Sequence, residues 1–349
     1  IRNPQSAIRN SSRLRLLRLF SLGGSLLLAL LVTEIGLRAF NYRPGTMDPD
    51  MYVANQNQLL PYRLRPNYKG YCAGREVETD AEGNRLVSPS YAALRQSQTS
   101  ERQVLLLGDS GVFGFGLGDE DTIASQMQRA AVAKSLNYDI RNIGVSGYTS
   151  WNEYEALKDY LSRHSATNVV VLYMPNDLTL DNDYFGIAKG KRASFDRGEH
   201  RRHDFTRWLY SHLYISFLIS DSTKRLTSGL SSITPNPQPG GIFDEEGKQA
   251  ELNYSMQALQ QIQELCDQKQ IDFQVGIYRD VAYLDDASTW LSYEDMIKKH
   301  LDRKGIKWFI AKSHIDRLKA NEIRVAWNDP HPSAKAAGLI ADDVLSAVR

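Results

Sequence analysis

The stretch QVLLLGDSGVFGFGLGDED, residues 103–121, joins an unbroken apolar run to Gly-Asp-Ser, and then to a segment in which every second or third residue is glycine. A short apolar run without polar alternation is what a parallel strand buried on both faces shows. The carboxyl ends of such strands are where open α/β sheets gather ligands and reacting groups. A serine set there among so little side chain suits either a phosphate cradle or a nucleophile. The phosphate reading fares badly. A Walker loop needs a lysine after its glycines, and none follows here. A dinucleotide fingerprint begun at Gly114 and Gly116 meets Asp119 where its third glycine belongs.

Outward from this stretch, strand-like and helix-like segments alternate. DEDTIASQMQRAAVAKSL (119–136) reads as a helix with acidic residues in its first turn, YDIRNIGV (138–145) as a strand, TSWNEYEALKDYLSRH (149–164) as a helix and NVVVLYM (168–174) as a third strand. Later come a helix at 250–270, a strand at 271–278, a helix at 292–305, a fifth strand at 306–311 and a closing helix at 332–348. Strands separated by helices imply a parallel sheet covered on both faces. One stretch breaks the rhythm. Residues 178–249 hold a basic run (189–203), an aromatic helical pattern (205–226) and the loop-like SSITPNPQPGG. A structureless loop of that length is rare in a compact domain, so a cap inserted over the sheet edge is expected. The basic run reads as a solvated loop, with anionic lipid headgroups as the sharper alternative. Trp208, Tyr210 and Tyr214 read as packing, with sugar stacking as the rival.

The chain has 349 residues and a formal net charge of +1, which gives no electrostatic reason to expect nucleic acid as a partner. RLRLLRLFSLGGSLLLALLVTEIGLRAF (13–40) places three arginines before an apolar segment that reaches the ~20 residues needed to span a bilayer. Glu34 and Arg38 are spaced to pair on one helix face near the membrane boundary. The basic flank predicts a cytoplasmic N-terminus with the remainder extracytoplasmic, in the periplasm or outside the cell. A cleaved signal peptide is the rival, but no small-x-small site follows Val32, and no cysteine is placed for a lipid anchor. The expected organisation is a basic N-terminus (1–18), an anchor (19–40), an extended polar lead-in (41–102) and a main domain (103–349). Cys72 and Cys266 lack metal-ligand spacing; they read as free thiols, with a disulfide as the alternative.

Three further blocks belong with Gly-Asp-Ser. NIGVSGYTS (142–150) and YMPNDL (173–178) lie at the ends of the second and third strands, and WNDPHPSAKAAGLIA (327–341) precedes the last helix. Topology brings such strand ends to one crevice, so Ser110, Gly147, Asn176 and His331 are expected to meet. The four blocks in this order resemble the SGNH, or GDSL-type, hydrolases over about 103–176 and 327–341, and the anchor with TEIGLRAF looks more loosely like membrane-anchored bacterial members.

The resemblance implies a three-layer α/β/α, flavodoxin-like fold with about five parallel strands. It implies Ser110 as nucleophile, His331 as general base and Asp329 as the group orienting it. The Ser110 and Gly147 backbone N–H groups and the Asn176 amide would form the oxyanion hole. No metal or cofactor is implied. The chain differs from the common pattern at two places. The usual Asp-x-x-His would put its acid at Asn328, whereas Asp329-x-His331 is the pair present, a closer spacing found in some membrane-linked and polysaccharide-acylating relatives. Pro175 stands where a glycine usually precedes Asn-Asp. Asp109, Gly144 and Asp177 read as structural. The resemblance implies serine esterase chemistry on an O-acyl ester, with O-acetyl on a cell-surface glycan as the narrower form of that expectation. An O-acyltransferase using the same site and a non-catalytic glycan-binding protein on the same scaffold are the alternatives.

Overall fold

The computed structural model describes residues 4–40, 48–57, 59–88, 102–178, 213–216, 218–219, 222–223, 249–279, 287–326 and 329–349. Most of the expected cap, with its basic run and the positions Trp208 and Tyr210, lies outside these residues, as does Asn328.

One helix, α1 (Pro4–Ala39), comes first. Two antiparallel hairpins follow, β1 (Tyr52–Ala54) with β2 (Tyr62–Leu64), and β3 (Lys69–Cys72) with β4 (Arg75–Glu78). The chain then runs through β5 (Arg102–Leu107), the single turn α2 (Ser110–Phe113), α3 (Ile123–Ala133), β6 (Tyr138–Asn142), α4 (Ser150–Leu161) and β7 (Asn168–Tyr173). Next come α5 (Gln249–Gln268), β8 (Asp272–Tyr278), α6 (Ala287–Lys304) and β9 (Trp308–Ala311). The short helices α7 (Ser313–Arg317) and α8 (Ala320–Ile323) lead to the hairpin β10 (Arg324–Ala326) with β11 (Asp329–Pro332), and α9 (Ala334–Ala347) is last.

The main sheet runs β6-β5-β7-β8-β9 with every pair parallel. Counted by chain position this is the order 2-1-3-4-5, the flavodoxin-like doubly wound arrangement. Alternate residues of β5 feed opposite faces, as the two-residue period of a strand requires. Val104 and Leu106 pack with Ile123 and Met127 of α3 and Ile340 and Val344 of α9. Leu105 and Leu107 pack with Leu157 of α4, Leu259 of α5 and Ile297 of α6. All four strand residues are fully buried, and complete burial of such side chains contributes roughly 1.5–3 kcal/mol each. Three layers result. β5 lies between β6 and β7, so its carboxyl end is the point where the winding reverses.

One expectation needs correction. The acidic residues 119–121 are not in the first turn of α3. They form a separate short turn, because the Thr122 hydroxyl accepts the Ser125 N–H at 3.2 Å and starts the helix after them. The two cysteines are free thiols, as read from the sequence; Cys72 packs among the hairpin residues and Cys266 lies on the buried face of α5, and burial pushes both thiols up to about 12.

The lead-in does more than trail along the surface. Met51, Tyr52, Tyr62, Leu64, Tyr68 and Val77 form a buried cluster with Phe113, Val145 and Tyr148, which flank the crevice. In α1, Phe20–Ala39 is 20 residues long and apolar enough to cross a membrane, a test a signal sequence also passes. Phe20, Leu26, Leu27 and Ile35 in it are more than half exposed.

Candidate active site

Gly-Asp-Ser turns the chain out of β5. Asp109 caps α2, its Oδ1 accepting the Gly111 N–H at 2.8 Å, so Ser110 becomes the first residue of the turn. The first N–H groups of a helix have no partner inside it, and the Ser110 N–H is one of these. Asp109 is buried. Burial pushes its carboxyl up, against the opposing effect of the Gly111 N–H, the nearby His331, Asn176 and Ser110.

The loop leaving β6 is pressed against this turn. Asn142 donates to the Val112 carbonyl at 2.8 Å and accepts the Gly144 N–H at 3.0 Å. A Cβ on Gly144 would stand 2.6 Å from the Phe113 nitrogen, so this glycine is required by close approach and is more than an ordinary turn residue. Gly147 has φ +81°, a conformation in which a Cβ is strained. Its neighbour Tyr148 is tied to the lead-in, donating from its hydroxyl to the Tyr62 carbonyl at 2.8 Å.

The end of β7 turns at Pro175–Asp177, where a proline is well placed because the first position needs no N–H donor. Asp177 holds this turn: its carboxylate accepts the Met174 N–H at 2.9 Å and the Ser150 hydroxyl at 2.8 Å. The Asn176 amide thereby points at the serine turn. It donates to Asp109 Oδ2 at 2.8 Å and lies 3.5 Å from the Tyr148 carbonyl.

His331 comes from β11. Its Nε2 is 2.8 Å from Ser110 Oγ, and its Nδ1 is 2.6 Å from Asp329 Oδ1. The same carboxylate oxygen accepts the His331 backbone N–H at 3.0 Å. That pair of bonds accounts for the close Asp-x-His spacing. An aspartate readily accepts the N–H two residues on, and here the local turn also brings the carboxylate to the ring. Because a carboxylate only accepts, Nδ1 carries the proton and Nε2 accepts from the serine. Burial raises the Asp329 carboxyl, but the His331 ring, its charge and its backbone N–H outweigh this and hold it below the usual value. Phe115 stacks on the imidazole at 4.4 Å between centroids, 30° from parallel.

The sequence reading missed two residues here. Phe115 carries no motif. Arg85, from the lead-in, is buried and donates to the carbonyls of Phe113, Gly114 and Leu117 at 3.1, 3.0 and 2.8 Å and to Asp119 at 2.9 Å. It stitches the glycine-rich segment that follows Ser110. Among the described residues, no group of three or more His, Cys, Asp and Glu side chains is arranged to hold a metal ion.

The fold and site together define a doubly wound α/β protein with a serine, histidine and aspartate in sequence at its switch point. No protein-family model matches the chain, and no curated protein does. Several solved structures are similar. The esterase EstA from Pseudoalteromonas sp., inhibited by monoethylphosphonate, is 14% identical over 71% of this chain and 97% of its own, with a TM-score of 0.42. The acetylxylan esterase Axe2 from Geobacillus stearothermophilus is 13% identical over 71% of this chain and 94% of its own, TM-score 0.42. A G-D-S-L family lipolytic protein from Desulfitobacterium hafniense is 10% identical over 70% and 99%, TM-score 0.41. At such identities the chemistry of this chain has to rest on its own geometry.

Proposed function

We propose that the protein is a serine esterase that cleaves an O-acyl ester through an acyl-Ser110 intermediate, held at a membrane by α1 with its site on the extracytoplasmic side. The observation that carries this reading is the hydrogen-bonded chain from Ser110 through His331 to Asp329, at 2.8 and 2.6 Å. A serine hydroxyl is a weak nucleophile until a base takes its proton, and an imidazole oriented by a carboxylate is suited to that task. Ser110 Oγ attacks the ester carbonyl while His331 Nε2 accepts its proton. His331 then returns the proton to the leaving alkoxide, the acyl–oxygen bond breaks, and water repeats the sequence to release the acid. Asp329 keeps the proton on Nδ1 and stabilises the imidazolium.

The tetrahedral oxyanion needs fixed donors. The backbone N–H groups of Ser110 and Gly147 and the Asn176 amide are assigned this role. One Asn176 proton is committed to Asp109. The other faces the Tyr148 carbonyl at 3.5 Å, longer than an ordinary N–H···O bond, and is the one assigned to the oxyanion. The acceptor of the acyl group is water in this reading; a glycan hydroxyl in its place would make the protein an acyltransferase.

The test is mass spectrometry of the full chain in detergent after treatment with a fluorophosphonate. An adduct on Ser110 that is lost in His331→Ala is expected, together with near-complete loss of ester turnover in a folded Ser110→Ala variant. Full turnover in Ser110→Ala would overturn the proposal.

A further inference from the structure

Glu34 is an acidic residue five positions inside the C-terminal end of the apolar stretch Phe20–Ala39. At the helical rise this is about 7.5 Å inside the end of the span, on the hydrocarbon side of the boundary with the headgroups. A carboxylate there is expensive unless its oxygens are engaged, and ionisable side chains in spans generally mark a function. The partners of Glu34 define one. Arg38, one turn on, donates to Glu34 Oε1 at 2.8 Å. The carboxylate also accepts two backbone N–H groups from a distant part of the chain, Tyr214 at 3.1 Å and Ile215 at 2.9 Å. Those N–H groups open a helical segment: residues 214–216, 218–219 and 222–223 are helical. The Arg38 guanidinium lies over the Tyr214 ring at 4.9 Å, adding a second contact between the same two parts of the chain.

Aliphatic side chains are exposed near this junction, alongside the polar Thr33, Arg38, Ser222 and Thr223. Leu218 and Ile219, one turn beyond the capped start, are 36% and 58% exposed, and Ile35, next to Glu34, is 58% exposed. In water, exposed aliphatic surface of this kind is unfavourable. Just inside the membrane boundary, lipid is the medium that covers them.

Resting on the reading of α1 as a membrane anchor, we infer that the described residues 213–216, 218–219 and 222–223 form a membrane-interface element, pinned to the anchor by the Glu34 carboxylate, with Leu218 and Ile219 in contact with lipid.

The test uses the full chain reconstituted in phosphatidylcholine vesicles, with nitroxide labels on Ile219→Cys, on Leu28→Cys in the span and on Lys269→Cys, an exposed residue just beyond α5. Collision with oxygen and with a water-soluble nickel chelate is measured for each. Ile219 is expected to behave like Leu28, with several-fold less nickel collision than Lys269. Nickel access at Ile219 equal to that at Lys269, with Leu28 protected, overturns the interface segment and leaves the anchor standing. Access at Leu28 overturns both. Adding Glu34→Ala to Ile219→Cys is expected to raise nickel access at the label severalfold, with fluorophosphonate labelling of Ser110 reporting that the domain remains folded. A label unmoved by that change overturns the pinning role.

Discussion

Asp329 reaches His331 from a position only two residues away. One carboxylate oxygen takes both the backbone N–H and the ring N–H of His331. In Asp329→Asn the side-chain oxygen can still accept the backbone N–H, so the turn survives, while the negative charge opposite the imidazole is lost. The expected result is a fall in kcat of up to about 10⁴ with little change in thermal unfolding. A variant with normal kcat would remove Asp329 from the mechanism. Phe115 belongs at this scale too. Its ring against the imidazole limits the ring's rotation without contributing charge or a hydrogen bond.

The loops of the proposed site are element ends held from outside the main sheet. Arg85 is the clearest case, since it lies between the hairpins and β5 yet bonds three carbonyls and Asp119 in the segment after α2. Removing one partner of a buried charged network leaves the rest unpaired, at a cost of about 3–5 kcal/mol. Arg85→Met is therefore expected to lower stability by that order in urea unfolding, and to slow fluorophosphonate labelling of Ser110 before global unfolding. Arg85→Lys should recover little, because a single ammonium cannot match a fork that reaches several acceptors. Unchanged stability in Arg85→Met would show that the loop holds itself.

Across the molecule, a buried acidic group lies behind the crevice. Glu153 on α4 is 1% exposed, and neither carboxyl oxygen has a hydrogen-bond partner among the described residues. Burial first, then the neighbouring Asp177 and Asp109, push its carboxyl well above the usual value. The folded protein thus keeps a proton that the unfolded chain releases above about pH 4.3. Glu153's contribution to stability is full below that value and is lost as pH rises through its raised folded value. Glu153→Gln removes this dependence. Thermal unfolding at about pH 5 and pH 8 is expected to show a larger loss for the unmodified chain than for the variant. Equal losses would mean that Glu153 has found a partner or is ionised at no cost. The opposite contribution of Asp329, whose carboxyl is lowered, is common to both proteins and cancels in the comparison.

The sequence by itself determined the strand and helix alternation, because burial on both faces writes unbroken apolar runs such as Val104–Leu107, and helices write their own period. It also determined which blocks lie at strand ends, since Gly-Asp-Ser, Ser-Gly-Tyr and Asn-Asp each follow such a run, and that Asp-Pro-His precedes the last helix. Boundaries were less legible: α3 begins after its acidic residues because a threonine hydroxyl caps it there, while Asp119 is drawn to a distant arginine. Only the tertiary structure decided that Arg85 reaches the loop after Ser110, that Phe115 faces His331, that Gly144 has no room for a Cβ, and that Glu34 meets Tyr214 and Ile215. The physical reason is common to all four. Periodicity and local turn chemistry are written in neighbours along the chain, whereas these contacts join residues whose proximity is created by the winding of the sheet and by the packing of the lead-in and anchor.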